Sequence, residues 1–305
     1  MAHRTMMKIA LNAAIFGIAL LCTSCGRSNR IIIGSKNFTE QIVLGEIAAQ
    51  QIENTLHVPV ERRLNLGGTM LAHLALKDGQ IDLYPEYTGT ALTAVLKQPL
   101  LTDQSQVFVE VARLYEQRFH LHWMQPLGFN DSFAMAVRTE DARKLSAPTL
   151  TAAAERSWRL GVGYEFLTRP DGLARLNAVY HLRWNGLPKT MDLGLLYRAL
   201  NHGQVDMAAA NTTDGILTSK EYTVLQDVKH AFPPYQACFV VRDDLLDKTP
   251  GLREALAALS GTIDDRTMRQ MNRRVDIDHV PVIRVAADFL SNLDKRRQQT
   301  SHASL

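Results

Sequence analysis

Three aromatic side chains stand where apolar segments typical of β-strands begin or end: Tyr87, Phe133 and Tyr235. Open α/β sheets bind their ligands at the ends of strands. The electron-rich face of an aromatic ring attracts a quaternary ammonium group, which has no hydrogen to donate and is held by cation–π and dispersion contacts. One such ring is more often part of a core. The joint placement of three rings favours a binding site for an organic cation.

Two basic residues stand near the beginnings of predicted helices, Lys36 before the first helix and Arg169 in a later one. A basic side chain and the free N–H groups of a helix N-terminus together make a good partner for a carboxylate. Alone, each residue would be an ordinary surface charge. Combined with the rings, they predict that the ligand also carries an anionic group.

The chain lacks the sequence motifs of common enzymes. It contains no G-x-S-x-G elbow, P-loop, H-E-x-x-H motif or dinucleotide glycine fingerprint. His120 and His122 alternate on a predicted strand but have no third ligand in the sequence pattern, so no metal site is expected. Cys238 lies in an apolar strand, where a cysteine usually acts as a small buried hydrophobe. We therefore expect no cofactor and no catalysis.

One stretch of the chain occurs twice. Residues 75–82 read Ala-Leu-Lys-Asp-Gly-Gln-Ile-Asp and residues 199–206 read Ala-Leu-Asn-His-Gly-Gln-Val-Asp. Each copy has the pattern of a helix end, a glycine stop and a buried strand. Continued in register, the copies place Tyr87 and Asn211 at equivalent positions. The repeat predicts two similar α/β lobes with a ligand between them.

The domain organisation follows from the alternation of strands and helices that begins at Ile31, which favours mostly parallel sheets covered by helices. Two irregular segments, near Asp131 and near Pro233, interrupt this alternation outside the repeats. We interpret them as two hinge crossovers between lobes. Residues 30–130 plus 235–297 then form lobe 1, residues 131–234 form lobe 2, and residues 298–305 form a flexible tail.

The composition is that of a globular protein with a mild charge. The 305 residues include 34 basic and 31 acidic ones, a net charge of +3 that is too small and too dispersed to indicate nucleic-acid binding. The N-terminus has a basic flank and an apolar run over residues 9–21, which predicts an export signal over residues 1–25. Cys25, followed by a glycine, resembles a bacterial lipoprotein processing site. Simple cleavage and release is the alternative.

Several spaced motifs resemble the substrate-binding proteins of glycine betaine, carnitine and choline importers. They are Gly-Ser-Lys-Asn-Phe-Thr-Glu-Gln at 34–41, Gly-Gly-Thr at 67–69, Asp-Leu-Tyr-Pro-Glu-Tyr-Thr-Gly-Thr at 82–90, Glu-Phe at 165–166, Arg-Pro-Asp-Gly at 169–172, Thr-Thr-Asp-Gly at 212–215 and Pro-Pro-Tyr at 233–235. The resemblance covers essentially all of the mature chain.

This resemblance implies the two-lobed type II fold of periplasmic binding proteins. It also implies an exported protein that closes on its ligand and delivers it to a membrane permease driven by a cytoplasmic ATPase. We expect a monomer that is anchored to the membrane by lipid at Cys25. The positions that match the family's site are the cage tyrosines Tyr87 and Tyr235, the polar contact Thr90, the carboxylate partners Lys36 and Arg169, and Asp131 near the cation.

Two positions depart from the family pattern. Phe133 stands where a cage tyrosine is expected and keeps the ring without the hydroxyl, whereas Asn211 removes another ring altogether. Loss of one cation–π wall weakens binding by about 0.5–2 kcal/mol. The sequence therefore leaves two ligand classes open: a betaine-type compound, or an amino acid or other polar metabolite read by the Asn211 amide. An exported enzyme is a remote third reading.

Overall fold

A computed structural model describes residues 30–303, with side chains through residue 299. The predicted export signal and Cys25 lie outside the described residues. The strands in chain order are β1 (Ile31–Gly34), β2 (Val60–Arg63), β3 (Leu83–Tyr87), β4 (Leu121–Trp123), β5 (Phe133–Arg138), β6 (Ser157–Trp158), β7 (Leu160–Val162), β8 (Arg183–Trp184), β9 (Lys189–Thr190), β10 (Met207–Asn211), β11 (Tyr222–Leu225) and β12 (Ala237–Arg242).

Helices connect and cover these strands. The longer helices span Thr39–Leu56, Thr69–Lys77, Gln104–Phe119, Leu173–Tyr180, Asp265–Asp276 and Val282–Ala303. Shorter ones span Thr88–Thr90, Thr139–Ala142, Leu150–Ala153, Tyr164–Thr168, Leu196–Asn201, Asp243–Lys248 and Leu252–Ala257, with a π-helical turn at Ala91–Val95 and 3₁₀ turns at Leu193–Leu195 and Gly215–Thr218.

The first long helix, Thr39–Leu56, shows how the sequence pattern builds the core. Leu44, Ala48 and Ile52 follow one another at four-residue spacing and are fully buried, as expected for one face of an α-helix. The helix ends at His57, whose φ of 56° lies in the left-handed region. It packs against the Val282–Ala303 helix. That last helix extends to Ala303, into the segment 298–305 that the sequence predicts to be a flexible tail.

The strands form two five-stranded sheets, ordered β2-β1-β3-β12-β4 and β11-β5-β10-β7-β9, and a small third sheet of β6 and β8. The two helix-flanked sheets confirm the α/β class. The expectation of mostly parallel sheets needs correction, because each large sheet is mixed. In the first, β1 pairs parallel with β2 and β3, but β12 is antiparallel to β3 and β4. In the second, β7 pairs parallel with β9 and β10, but β5 is antiparallel to β10 and β11.

The antiparallel strands have a topological cause. The chain passes from the first sheet to the second between β4 and β5 and returns between β11 and β12; we call these two segments the crossings. Both β5 and β12 follow a crossing, and each begins at the end of its sheet where the neighbouring parallel strands finish. Phe133 at the start of β5 pairs with Asn211 at the end of β10, and Ala237 at the start of β12 pairs with Tyr87 at the end of β3. A strand that begins where the parallel strands finish must run in the opposite direction to them.

The two crossings lie side by side. Asn130 and Gln236 form an antiparallel bridge, and the backbone N–H of Asp131 donates to the carbonyl of Tyr235 at 3.1 Å. The strands of the first large sheet lie in residues 30–130 and 235–297, which we predicted to form lobe 1. Those of the second lie in residues 131–234, which we predicted to form lobe 2. The lobe boundaries and the hinge motion remain predictions.

The sequence repeat corresponds to one local structure that is formed twice. In each copy a helix ends, a glycine adopts a positive φ, and a strand follows: Gly79 has a φ of 71° and Gly203 a φ of 61°. The aspartate that closes each copy accepts a hydrogen bond from the backbone of the neighbouring parallel segment. Asp82 accepts from Ile32 N at 2.9 Å, and Asp206 accepts from Arg159 N at 3.2 Å.

Replacement of Gly203 by alanine should destabilise the protein. A Cβ at this position would meet no atom within 4 Å, so the cost is that of the left-handed backbone alone, about 1 kcal/mol. Urea denaturation should show this loss, and a smaller one for Gly203→Asn, because asparagine tolerates the left-handed region. An alanine variant as stable as the wild type would contradict the assigned role of the glycine.

Candidate ligand-binding site

A cavity of about 1020 Å³ opens where the strands of the two large sheets end. Tyr87 closes β3, Phe133 opens β5 and Asn211 closes β10, so the sheet topology brings all three to the cavity. Thr90 lies buried in the helical turn after β3. The residues that the sequence singled out all border this one cavity: Lys36, Tyr87, Thr90, Asp131, Phe133, Arg169, Asn211 and Tyr235.

The aromatic residues form two groups. Phe133 and Tyr235 meet edge to face, with ring centroids 5.6 Å apart and planes at 68°. Tyr87 stacks on Phe38 at 6.3 Å. Phe166 and Phe232 pack behind Phe133, which fixes the position of that ring. Rings held in this way keep their orientation at little entropic cost when a ligand binds.

The two basic residues that the sequence analysis assigned to the site, Lys36 and Arg169, are already paired with acids, which the sequence did not reveal. The Lys36 ammonium forms a buried ion pair with Glu86 and lies 5.1 Å from the centre of the Tyr87 ring. Arg169 holds Asp171 with two hydrogen bonds of 2.9 and 2.6 Å. Burial alone would raise the pKa of Asp171, but the bonds from Arg169 lower it. Both bases therefore belong to neutralised pairs.

Arg169 also contacts the rings predicted to receive the ligand's cation. The centre of its guanidinium lies 4.9 Å from the Phe133 ring centroid and 5.8 Å from that of Tyr235. Its geometry is that of a cation–π contact. A ligand cation would therefore share these rings with Arg169 and approach a different part of their surface.

Three acidic residues also border the cavity, Glu40, Asp131 and Asp214; we call these three residues the acidic wall. Tyrosine and threonine hydroxyls donate to all three: Tyr87 to Glu40 at 2.7 Å, Thr213 to Asp131 at 2.7 Å, and Tyr197 to Asp214 at 2.8 Å. Within residues 30–303, no basic group forms an ion pair of 4.0 Å or less with any of the three.

The lack of a basic partner affects the proton affinity of these acids. Burial raises the pKa of Glu40 to about 7 against the opposing hydrogen bonds, and burial together with the nearby Glu40 raises that of Asp131 well above its usual range. Loss of hydration raises the pKa of Asp214 to about 6. Each acid would hold its negative charge more readily beside a bound cation.

The sequence analysis identified Asp131 but missed Glu40 and Asp214. Glu40 lies in the first turn of the Thr39–Leu56 helix, where an acidic residue normally only complements the helix dipole. Asp214 precedes a 3₁₀ turn, a common place for aspartate. Both belong to segments used for the family resemblance, Thr-Glu-Gln and Thr-Thr-Asp-Gly. That resemblance was the one available signal for them.

The other candidate residues lie away from the cavity. His122 comes close to Glu116 and Asp243, with ligand atoms within 4.8 Å of one another, but His120 is not in this group. Arg253 lies 2.8 Å from His122 Nε2, and such a cation opposes metal binding. Cys238 is fully buried in β12, which confirms the prediction of a small buried hydrophobe. Among the described helices, none combines the length and apolar character needed to span a membrane.

The pH dependence of stability should report the buried Glu40. Its pKa rises from 4.5 to about 7 on folding, so the folded state binds more protons than the unfolded state between these pH values. The free energy of unfolding without ligand should therefore fall as the pH rises through this range. We measure the fall as the difference between the unfolding free energies at pH 5 and pH 8. In the Glu40→Gln variant this difference should be smaller than in the wild type by about 1–3 kcal/mol.

Glu53→Gln, on the same helix, is the matched control. Its carboxylate pKa is lowered by hydrogen bonds from Arg62, so it stays ionised over this range and its replacement should leave the slope unchanged. Equal pH dependence in the Glu40→Gln variant and the wild type would mean that Glu40 does not take up a proton on folding.

Comparison with known proteins agrees with this geometry. Residues 29–292 match the family described as the substrate binding domain of ABC-type glycine betaine transport systems. A solved structure described as a glycine betaine/carnitine/choline ABC transporter superposes with a TM-score of 0.73 at 28% identity, covering 86% of this chain and 98% of the other. Apo YehZ from Escherichia coli gives a TM-score of 0.65 at 26% identity, covering 87% and 99%. These neighbours confirm the type II periplasmic-binding-protein fold.

Among similar proteins, one from Helicobacter pylori is named ergothioneine transport permease/ergothioneine binding protein EgtU. It is 33% identical over 296 residues, and the match covers 94% of this chain but only 53% of that protein. The carnitine transport binding protein OpuCC of Listeria monocytogenes is 30% identical over 300 residues, covering 91% and 95%. A glycine-betaine-binding protein of Pseudomonas aeruginosa is 33% identical over 294 residues, covering 90% and 93%.

Proposed function

Because this chain belongs to the family of substrate-binding domains of ABC-type glycine betaine transport systems, we propose that it captures a quaternary ammonium or betaine-type compound between two closing lobes. Binding proteins of this class are extracytoplasmic, bind small solutes, and work with a permease and an ATPase; they are not enzymes. We infer the same for this chain, without catalysis and as a monomer. Relatives named for carnitine, glycine betaine and ergothioneine support the ligand class.

The observation that carries this proposal is the acidic wall beside the aromatic rings. Glu40 accepts from the Tyr87 hydroxyl, and Asp131 is two residues from Phe133 and bonded through its backbone to Tyr235. Buried carboxylates without a basic partner favour a cation, and rings favour one that cannot donate hydrogen bonds. A quaternary ammonium group satisfies both requirements.

The bases Lys36 and Arg169 suit the anionic half of a zwitterion. In the proposed complex Tyr87, Phe133 and Tyr235 surround the cation with Asp131 beside it. A carboxylate of the ligand lies against Lys36, Thr90 and Arg169. The bases would keep their bonds to Glu86 and Asp171 and use their remaining N–H groups. Because the pairs are already neutral, this contact orients the carboxylate more than it adds net charge attraction.

A second ligand class rests on Asn211. It is half-buried, borders the cavity and pairs in register with Phe133, where the family pattern places another ring. Its amide and the acidic wall would also suit the ammonium of an amino acid or another polar metabolite, read by hydrogen bonds. Mass spectrometry of compounds that co-purify with the protein separates the two classes.

We also propose that the mature protein is exported and anchored to the membrane. Residues 1–25 have the pattern of an export signal, and we propose that Cys25 is acylated and holds the mature protein at the outer face of the cytoplasmic membrane. Ligand binding would shift the population toward the closed form, which the permease would then accept.

Calorimetric titration with glycine betaine, proline betaine, choline, carnitine and ergothioneine tests the ligand class. At least one compound should bind, and its uncharged analogue, with carbon in place of the quaternary nitrogen, should bind at least about tenfold more weakly, since each cation–π contact contributes roughly 0.5–2 kcal/mol. No binding by any of the five would exclude quaternary ammonium ligands.

Restoring the missing ring should strengthen betaine binding. We expect Asn211→Tyr to lower the dissociation constant of the best betaine-type ligand by roughly threefold to thirtyfold, because it adds one cation–π wall. Asn211→Leu supplies bulk without an aromatic face and serves as control. Unchanged or weaker binding by the tyrosine variant would argue against the assignment of Tyr87, Phe133 and Tyr235 as a cage.

A further inference from the structure

Glu165 connects two parts of the chain that the sequence assigned to different lobes. It lies on the short Tyr164–Thr168 helix, which follows β7 of the second large sheet. Its Oε1 accepts a hydrogen bond from the backbone N–H of Thr69 at 2.5 Å, and its Oε2 accepts one from the Thr69 hydroxyl at 2.9 Å. Thr69 begins the Thr69–Lys77 helix, which precedes β3 of the first large sheet. The two bonds therefore join segments of both predicted lobes, beside the cavity that Glu165 borders.

The carboxylate of Glu165 takes the place of a helix cap. The N-cap residue of the Thr69–Lys77 helix is Gly68, which has no side chain to accept from the free N–H groups of the first turn. A carboxylate also complements the positive end of the helix dipole. A Cβ on Gly68 would lie 2.6 Å from Glu165 Oε1, and its three nearest atoms would all belong to Glu165. The glycine thus leaves the space that the carboxylate occupies.

Glu165 also faces Arg169, four residues further along the chain. Its Oε2 lies 3.5 Å from Arg169 Nη1. Burial alone would raise the pKa of this carboxylate, but the charges of Lys36 and Arg169 and the bonds from Thr69 lower it, so it is ionised at neutral pH. The side chain is still 40% exposed. Contacts that water can reach open more readily than contacts in a packed core.

We propose that Glu165 is a positioning residue of the binding site that holds the closed form. When the predicted lobes approach each other, its carboxylate binds the start of the Thr69–Lys77 helix on one lobe and keeps Arg169 in place on the other. It acts through closure and through Arg169 rather than on the ligand. This inference rests on the proposed function and adds to it a residue on which the affinity for every ligand depends.

A purely electrostatic role of Glu165 would have a different signature. Its charge offsets that of Arg169, so its removal by itself should tighten the binding of a ligand carboxylate there. Loss of the contact with Thr69 should instead weaken ligands with and without a carboxylate by the same factor, because it changes the equilibrium between the open and closed forms. Glycine betaine, which has a carboxylate, and choline, which has none, separate the two roles.

The test is calorimetry and stopped-flow kinetics on the full mature protein with glycine betaine, proline betaine, choline, carnitine and ergothioneine. Glu165→Ala should weaken each compound that the wild type binds by about tenfold, since two hydrogen bonds to a partly exposed carboxylate are lost. The loss should appear as faster dissociation, because the bonds form after the ligand has entered. Glu155→Ala removes an exposed acid from the same predicted lobe and should bind like the wild type.

Gly68 supplies an independent variant of the same contact. Gly68→Ala should weaken the same ligands, because the added methyl group displaces the Glu165 carboxylate. In the Glu165→Ala background the same substitution should change the affinity by less than about twofold, since the atoms that it would meet are gone.

Three outcomes would overturn the positioning role while leaving the proposed function intact. The first is a Glu165→Ala variant that binds as tightly as the Glu155→Ala control. The second is tighter binding of the carboxylate-bearing compounds by that variant, and the third is an effect of Gly68→Ala that persists in full without Glu165. Failure of the wild type to bind any of the five compounds would overturn the proposed function and this inference with it.

Discussion

The structure depends on the burial of carboxyl groups without a basic partner. Glu40, Asp131 and Asp214 border one cavity, and in the folded state they are accommodated by hydrogen-bond donors and by raised pKa values. By contrast, Lys36 and Arg169, which also border the cavity, are each matched by an acid, Glu86 and Asp171 respectively. This asymmetry gives the cavity acids that favour a positive charge and two bases that are already neutralised, as expected for a site that receives a cation and orients the rest of the ligand.

The fold brings these groups together through strand ends. The parallel strands β3 and β10 stop at the cavity, and β5 and β12 begin there because the chain crosses between the sheets at this level. The crossings are bonded to each other, so Asp131 and Tyr235, far apart in sequence, are neighbours. The repeat at residues 75–82 and 199–206 leads into β3 and β10, the two strands that end at the cavity. In each copy its aspartate accepts a hydrogen bond from the adjacent backbone. Closure of such a cavity would bring both sheets against one ligand.

The sequence predicted much of this arrangement, for identifiable reasons. Strand ends are visible in the hydrophobic pattern, so Tyr87, Phe133 and Asn211 could be placed at one site. The pairing of Lys36 with Glu86, and of Arg169 with the rings, depends on side chains meeting across the fold and has no local signature. The burial of Glu40 is of the same kind, since an acidic residue in a first helical turn is normally exposed. The mixed sheets were missed because strand direction depends on where the crossings enter.

The crystal structure of the protein with its tightest-binding ligand tests the central claim most directly. The account predicts a quaternary nitrogen within about 6 Å of the ring centres of Tyr87, Phe133 and Tyr235. It further predicts that this nitrogen faces Asp131 and Glu40, while any carboxylate lies toward Lys36 and Arg169. A ligand whose cation lies away from the rings and the acidic wall, or whose anionic group faces Glu40, would contradict it.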